Sequence, residues 1–336
     1  MTHYKQTMHN FIQDMMTNIT GMVAARSINH RYIKWSLDQT DKELARVEAH
    51  LAVAADDPGF HLELCLACWE YDWNHSGQVD DRDRMLLQVE QDAEGQSIPK
   101  DDPRRKPTFR FDQGDIYWAR AMIAFQRAAM NLGMAYQAPD FDAFNRLQRE
   151  AVLTIRMVDK ARVHAARDLI LAGLAHADRS RLLFLAETDD QGEWFPNPKQ
   201  HNHPLPLPVD QALYDTWAGV LGDLQKLLRG EEGISVVEAA QLGDHQWADP
   251  PTGFVNVAKL FTAPGDVTLN LKNLEAVDRN RSKADVERVL TDILGDKYVP
   301  SMKPSGMLAR FARMKSELER GEDSFERKLR YLLWVN

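Results

Sequence analysis

Cysteine is nearly absent from this chain, with two in 336 residues, which excludes a disulfide scaffold. No apolar run approaches the roughly 20 residues that a membrane-spanning helix needs. Met1 to Asp14 is polar and mixed. It lacks a basic segment followed by an apolar stretch, so no signal peptide is visible. That leaves a cytoplasmic protein or a chain whose leader has been removed. Positive charge is also short: 41 Lys and Arg stand against 50 Asp and Glu, a formal charge of −9. Non-specific nucleic-acid binding needs clustered cations against phosphate, so the reading is no nucleic acid, while a negative field modestly favours a divalent cation. There is no repeat of fixed period and no low-complexity tract. A glycine-rich phosphate loop, a G-x-S-x-G elbow and an H-E-x-x-H helix are all missing. The 44% hydrophobic and 27% charged content is that of a globular protein with a sizeable core.

One stretch carries a specific chemistry. In Asp72-Trp73-Asn74-His75-Ser76-Gly77-Gln78-Val79-Asp80-Asp81-Arg82-Asp83, oxygen-bearing side chains fall at positions 1, 3, 5, 9 and 12 of an EF-hand calcium loop, with glycine at 6 and an aliphatic residue at 8. Asp72, Asn74 and Ser76 would turn side-chain oxygens inward, Gln78 would offer its backbone carbonyl, Asp80 would bind directly or through water, and Asp83 would close the site. Ser76 removes a charge and Asp83 has a shorter arm than Glu, so affinity falls to roughly 10⁻⁴ to 10⁻³ M and magnesium becomes a competitor for calcium. The plainer alternative is a solvated Asp- and Asn-rich turn, with Asp72 and Asp80 as helix caps. Asp278 begins a second loop correctly, but Lys283, Asp285 and Val289 break the pattern. A lone loop points to a structural brace rather than a sensor.

Hydrophobic periodicity predicts helix after helix. Phe11, Met15, Ile19, Met22 and Val23 mark the first. Asp38 or Thr40 caps a second through Leu44, Val47 and Leu51, ending before Asp57. A third, Phe60 to Tyr71, and a fourth, Arg82 to Ala93, flank the calcium loop as an EF-hand-like unit over residues 60–94. Residues 95–108 form a polar, Pro-containing linker and the one candidate sub-boundary. Phe109 to Phe111 is extended. Asp112, with Asp115 completing a capping box, opens a helix to about Tyr136 that is apolar nearly all round and therefore central. Asp140 to Leu174 and Ser180 to Glu187 are read as helical, Thr188 to Pro208 as a long Pro-rich loop, and Val209 to Arg229 as an amphipathic helix ended by Gly230. Ser235 to Gln241 is a short helix. Val255 to Phe261 and Val267 to Leu271 stay undecided between helix and strand. Ser282 caps a helix, and Lys303 to Gly321 and Asp323 to Trp334 are the last two.

Three further constellations carry chemistry. Cys65 and Cys68, with His61 and His75 near, are either a zinc or redox site or two small buried hydrophobes on a helix. His201 and His203, with Glu187, Asp189, Asp190 and Glu193 nearby, offer metal ligands or an acid and a base. The same segment also suits a covering loop anchored by Trp194 and Phe195. Arg120, Arg127 and Asn131 share a stripe of the central helix, where a buried arginine needs a carboxylate partner; the stripe is read as structural ion pairs, with an anion site as the alternative.

The order of three pieces resembles an uncharacterised, often exported, group of bacterial proteins. They are the Asp72 loop, the run Asp112-Gln113-Gly114-Asp115-Ile116-Tyr117-Trp118-Ala119-Arg120, and the run Glu193-Trp194-Phe195-Pro196-Asn197-Pro198-Lys199-Gln200. A Trp-containing amphipathic helix, as at Trp217, and a piece like Val255 to Thr262 follow in similar sequences. The likeness spans about Asp72 to Pro264. It implies one continuous architecture and an exported, periplasmic location, and brings no activity with it.

The sequence is thus read as a single mainly α domain over residues 1–336, an irregular multi-helix bundle with one EF-hand-like helix-loop-helix and a long Pro-rich loop. The expected function is calcium binding at Asp72, Asn74, Ser76, Gln78, Asp80 and Asp83, in a structural or interaction role with any protein partner unidentified. The alternative is a hydrolase with its site in the 187–203 loop.

Overall fold

The structure, a computed structural model, describes residues 30–68, 72, 76–79, 89–90, 92, 96–137, 147, 149–203, 209–241, 249–273 and 282–318. The helix expected at Phe11 to Val23, the loop ligands Asn74, Asp80 and Asp83, and the helix expected at Asp323 to Trp334 lie outside these residues.

The protein is mainly helical. Four long helices, α1 (His30–Ala55), α2 (Gln113–Ala135), α3 (Lys160–Ala186) and α4 (Gln211–Arg229), are its main elements. Short helices α5 (Val236–Gln241), α6 (Val257–Thr262), α7 (Lys283–Leu294) and α8 (Met307–Leu318) follow. Small antiparallel pairings tie the connections: β1 (Leu62–Leu64) with β2 (Phe109–Phe111), β3 (Val152–Ile155) with β6 (Val267–Asn270), and β4 (Ile234–Ser235) with β5 (Phe254–Val255) and β7 (Tyr298–Val299). Among the described residues, no helix is long and apolar enough to cross a membrane.

The centre is α2, which packs against α1 on one side and α3 on another. Small residues let α2 and α3 approach: Ala121 and Ala177 are buried with Leu174, Leu221 and Leu228, and a Cβ on Gly173 would lie 2.6 Å from the ring of Phe125. The arginine stripe of α2 finds the carboxylates it needs on α1. Arg120 Nε donates to Glu48 at 2.9 Å and Arg127 Nε to Asp41 at 2.9 Å. Arg162 of α3 adds Asp38 at 3.0 Å and the Asn131 side chain at 3.1 Å. These pairs are ion pairs of the packing, as the stripe predicts.

A second cluster sits at one end of this core. Phe109 and Phe111 of β2, Phe184 near the end of α3, Trp194 and Phe195 of the irregular loop, and Tyr214 of α4 are all buried together. Trp194 and Phe195 thus anchor the loop, as expected. Val89 and Ile98 join them, so the polar stretch beginning at Gln96 packs onto the core through Ile98.

Several elements differ from the sequence reading. α1 begins at His30 and runs through Asp38 and Thr40 rather than being capped by them, because Asp38 is held by Lys42 and Arg162 on the helix flank. Residues 60–68 form β1 and a 3-10 turn, Leu66–Cys68, instead of a helix. The Leu-Glu-Leu alternation pairs with Phe109–Phe111, and tertiary pairing overrides a short helical pattern. Val89 and Glu90 are not helical either: Val89 N–H donates to Arg105 O and Ile98 N–H to Glu90 O. The described flanks of the Asp72 loop are therefore not the helices its motif expects. Val152–Ile155 is a strand, in keeping with its β-branched content, and α3 starts only after Asp159, whose side chain accepts from Arg162 N–H. It then runs unbroken to Ala186, so the separate helix from Ser180 does not exist. Val267–Asn270 resolves as strand, and Phe254–Val255 as strand running into α6.

Candidate metal centre

Four carboxylates meet where β2, α2, α3 and the irregular loop converge. Asp112 is the N-cap of α2; its Oδ1 accepts the Gly114 N–H at 2.7 Å. Asp115 returns the bond, its Oδ2 accepting the Asp112 N–H at 3.0 Å. This is the capping box that the spacing predicts. Glu187 terminates α3, its N–H donating to Leu183 O and Phe184 O. Glu193 stands beside Arg110 of β2 in a short parallel bridge, set by the Arg110 N–H donating to Gly192 O at 3.1 Å. Gly192 turns the chain there at φ +76°, within 3.3 Å of Thr108 O for an added Cβ. One carboxylate oxygen from each of Asp112, Glu187 and Glu193 lies within 4.8 Å of the others.

Neighbouring amides fix the arrangement. Asn197 Nδ2 donates to Phe184 O at 2.9 Å and to Glu187 O at 3.2 Å, holding the end of α3. Gln200 Nε2 donates to Glu187 Oε2 at 3.2 Å and to Asp189 O at 2.9 Å. The Gln191 N–H donates to Glu193 Oε1 at 3.3 Å. Tyr214 hydroxyl donates to Pro196 O at 3.1 Å. Together these hold the Pro-rich segment against the aromatic cluster.

Too much negative charge is buried here for the groups to ionise freely. Burial, then the charges of Asp112 and Glu193, push the Glu187 carboxyl up to about 10. Burial first, with Asp112 and Asp189 adding to it and the Gln191 N–H opposing, pushes Glu193 up to about 7. Asp115, only 2% exposed, is held well above the usual carboxylate range by burial and by the charge of Asp112. Asp115 Oδ1 and Glu187 Oε1 are buried and accept no hydrogen bond. Buried oxygens without donors are costly. Two chemical solutions exist: protons shared among the carboxyls, or a cation among them.

The residues expected to bind calcium are placed in part. Asp72 Oδ1 accepts the Ser76 N–H at 2.9 Å and its Oδ2 the Gly77 N–H at 2.6 Å. Ser76 Oγ donates to Gln78 O at 2.9 Å. Gly77 has φ +87°, a left-handed conformation that glycine takes without a steric penalty. Ser76 and Gly77 thus both turn their N–H groups to the Asp72 carboxylate.

Of the 187–203 loop, Glu187 and Glu193 enter the cluster. His201 is exposed, and its backbone N–H, not its ring, meets Asp190 at 2.9 Å. Asp112, Glu187 and Glu193 are the one such metal-capable group among the described residues. Asp112 and Asp115 were legible only as caps. Nothing local shows that Glu187 and Glu193, more than 70 residues on, return to the same helix end.

Cys65 and Cys68 do not lie on the α-helix expected there and are not free. They are joined in a disulfide, with Cys68 exposed, which replaces the reading as two buried hydrophobes. No thiolate remains for zinc in this oxidised state.

Comparison with protein-family models, with curated proteins and with solved structures found no match to this chain.

Proposed function

We propose that this protein binds a hard divalent cation at Asp112, Glu187 and Glu193, and that the cation clasps the 187–203 loop to the start of α2. The observation that carries this reading is the convergence of these carboxylate oxygens within 4.8 Å, beside buried oxygens of Asp115 and Glu187 that lack donors. An all-oxygen donor set suits calcium, magnesium or manganese over softer metals. The ligands come from a helix start, a helix end and a loop, so one ion joins three segments that otherwise repel one another. The role is structural. Titration calorimetry of chelator-treated protein with calcium and with manganese tests it. The tighter of the two binding events should appear in the wild type and be lost in Glu187→Gln. Equal binding in both sinks the proposal.

A second, weaker site on the Asp72 to Asp83 loop rests on the bonds from Ser76 and Gly77 to Asp72 and on the turn at Gly77. Calcium there, or magnesium in its place, would brace the loop. The two sites separate by mutation, since Asp72→Ala removes one and Glu187→Gln the other.

A further inference from the structure

We propose that Cys65 and Cys68 are a thiol–disulfide exchange pair, in which the exposed Cys68 sulfur takes the attack of a small-molecule thiol and Cys65 is the leaving group. The disulfide spans a sequence separation of only 3. A ring this small constrains the unfolded chain far less than a long loop does, so it makes a poor staple. It lies on a three-residue 3-10 turn, Leu66–Cys68, after β1, and not between two elements that need tying.

The two sulfurs have different surroundings. Cys68 is exposed, and Cys65 is partly covered. Cys65 Sγ lies 3.4 Å from Lys106 O, a separation at which a thiol donates to a carbonyl but a disulfide sulfur cannot. The reduced form therefore gains a hydrogen bond that the oxidised form lacks. The difference in exposure makes Cys68 the sulfur that an incoming thiol reaches, and the bond to Lys106 O stabilises Cys65 once it has left and been protonated. β1 pairs with β2 through Leu64 and Phe109, which holds the turn close to Lys106.

The chemistry balances with the thiol alone. A thiolate attacks Cys68 Sγ, forming a mixed disulfide as the Cys65–Cys68 bond breaks. The electron pair leaves on Cys65, which takes a proton from water and, as a thiol, donates a hydrogen bond to Lys106 O. A second thiolate then attacks the small-molecule sulfur of the mixed disulfide. It releases Cys68, which is protonated, and the disulfide of the small thiol. Two electrons pass from two thiols to the protein.

Glutathione serves as the probe. Folded wild-type protein is equilibrated with reduced and oxidised glutathione at varied ratios, quenched in acid, alkylated and weighed. The dithiol should rise with the reduced fraction and fall again when glutathione disulfide is added, with the helical circular dichroism unchanged. In Cys65→Ser, Cys68 should take up glutathione from its disulfide about tenfold faster than Cys65 does in Cys68→Ser. A pair that stays oxidised until urea is added overturns the proposal, as does faster addition at Cys65. Should either variant misfold, peptide mapping of the mixed disulfide trapped in wild type decides the same point. Glutathione on Cys68 supports the assignment, and glutathione on Cys65 refutes it.

Discussion

Gly114 and Phe184 touch where the first turn of α2 meets the end of α3: a Cβ on Gly114 would sit 2.7 Å from two carbons of the Phe184 ring. That contact is what lets the Asp112 cap lie beside Glu187. Gly114→Ala must therefore push a 2%-exposed ring into a filled cluster, and overpacking of this kind costs about 1–3 kcal/mol. Urea unfolding should show the midpoint falling with the slope unchanged. Gly222, within α4, has nothing within 4 Å of an added Cβ. Gly222→Ala should stabilise by about 0.5–1 kcal/mol through helix propensity, and the opposite signs of two identical substitutions separate packing from backbone entropy.

The ion pairs between α1 and α2 give a second prediction. Arg127 and Asp41 keep side-chain exposures of 23% and 16%, so they lie between the surface and buried limits. Asp41→Asn should cost about 1–2 kcal/mol, since it leaves a half-buried guanidinium without its counter-charge. Replacing both partners by apolar residues of similar size should cost less than the sum of the single changes. A double-mutant cycle in thermal unfolding checks this, and strict additivity would show that the pair carries no coupling.

How much of this could be read in the sequence follows from how local each signal is. Caps are local, and Asp112 with Asp115, Ser282 with Asp285 and the Gly230 stop are all found where the spacing puts them. The arginine stripe was legible because a charge on an apolar helix demands a partner, although the identity of Glu48 and Asp41 was not. Short strands were misread at Leu62–Leu64 and Val152–Ile155, where three or four residues carry too little periodicity to outweigh the helical context. The carboxylate cluster is half visible in the sequence: Glu187 and Glu193 stand out beside the histidines, but nothing there joins them to Asp112. Their meeting with Asp112 depends on the packing of Phe184, Trp194 and Phe195, which no sequence spacing encodes.

Calcium titration of the Asp72 loop gives a third prediction. Asp72 accepts from both Ser76 and Gly77 N–H, so Asp72→Ala should abolish weak calcium binding and also loosen the turn. Gly77→Ala keeps every expected ligand but places a Cβ at φ +87°, a left-handed conformation that costs about 1–2 kcal/mol. The expected order of calcium affinity is wild type, then Gly77→Ala, then Asp72→Ala, read by calorimetry in the Glu187→Gln background. Equal affinities in all three would make the segment a solvated turn.

The carboxylate cluster makes stability depend on pH in a direction that a cation alters. Glu187 and Glu193 go from an ordinary 4.5 to about 10 and about 7 in the folded protein. Between about 4.5 and 7 the metal-free fold holds both protons while the unfolded chain has released them. From about 7 to 10 it still holds that of Glu187. Stability falls with pH wherever the folded state binds more protons, so in chelator the melting temperature should decline from pH 5 to pH 9. The reference is Glu187→Gln, which cannot release that proton and should decline less. A divalent cation takes the place of the protons, so binding must displace them and strengthen as pH rises. At about 100 times its dissociation constant a ligand stabilises by about 2.7 kcal/mol, and that increment should be largest near pH 9, small at pH 5 and missing in Glu187→Gln. Melting curves in chelator and in excess manganese across this range measure it directly. An increment independent of pH would place the cation elsewhere and leave the cluster held by shared protons alone.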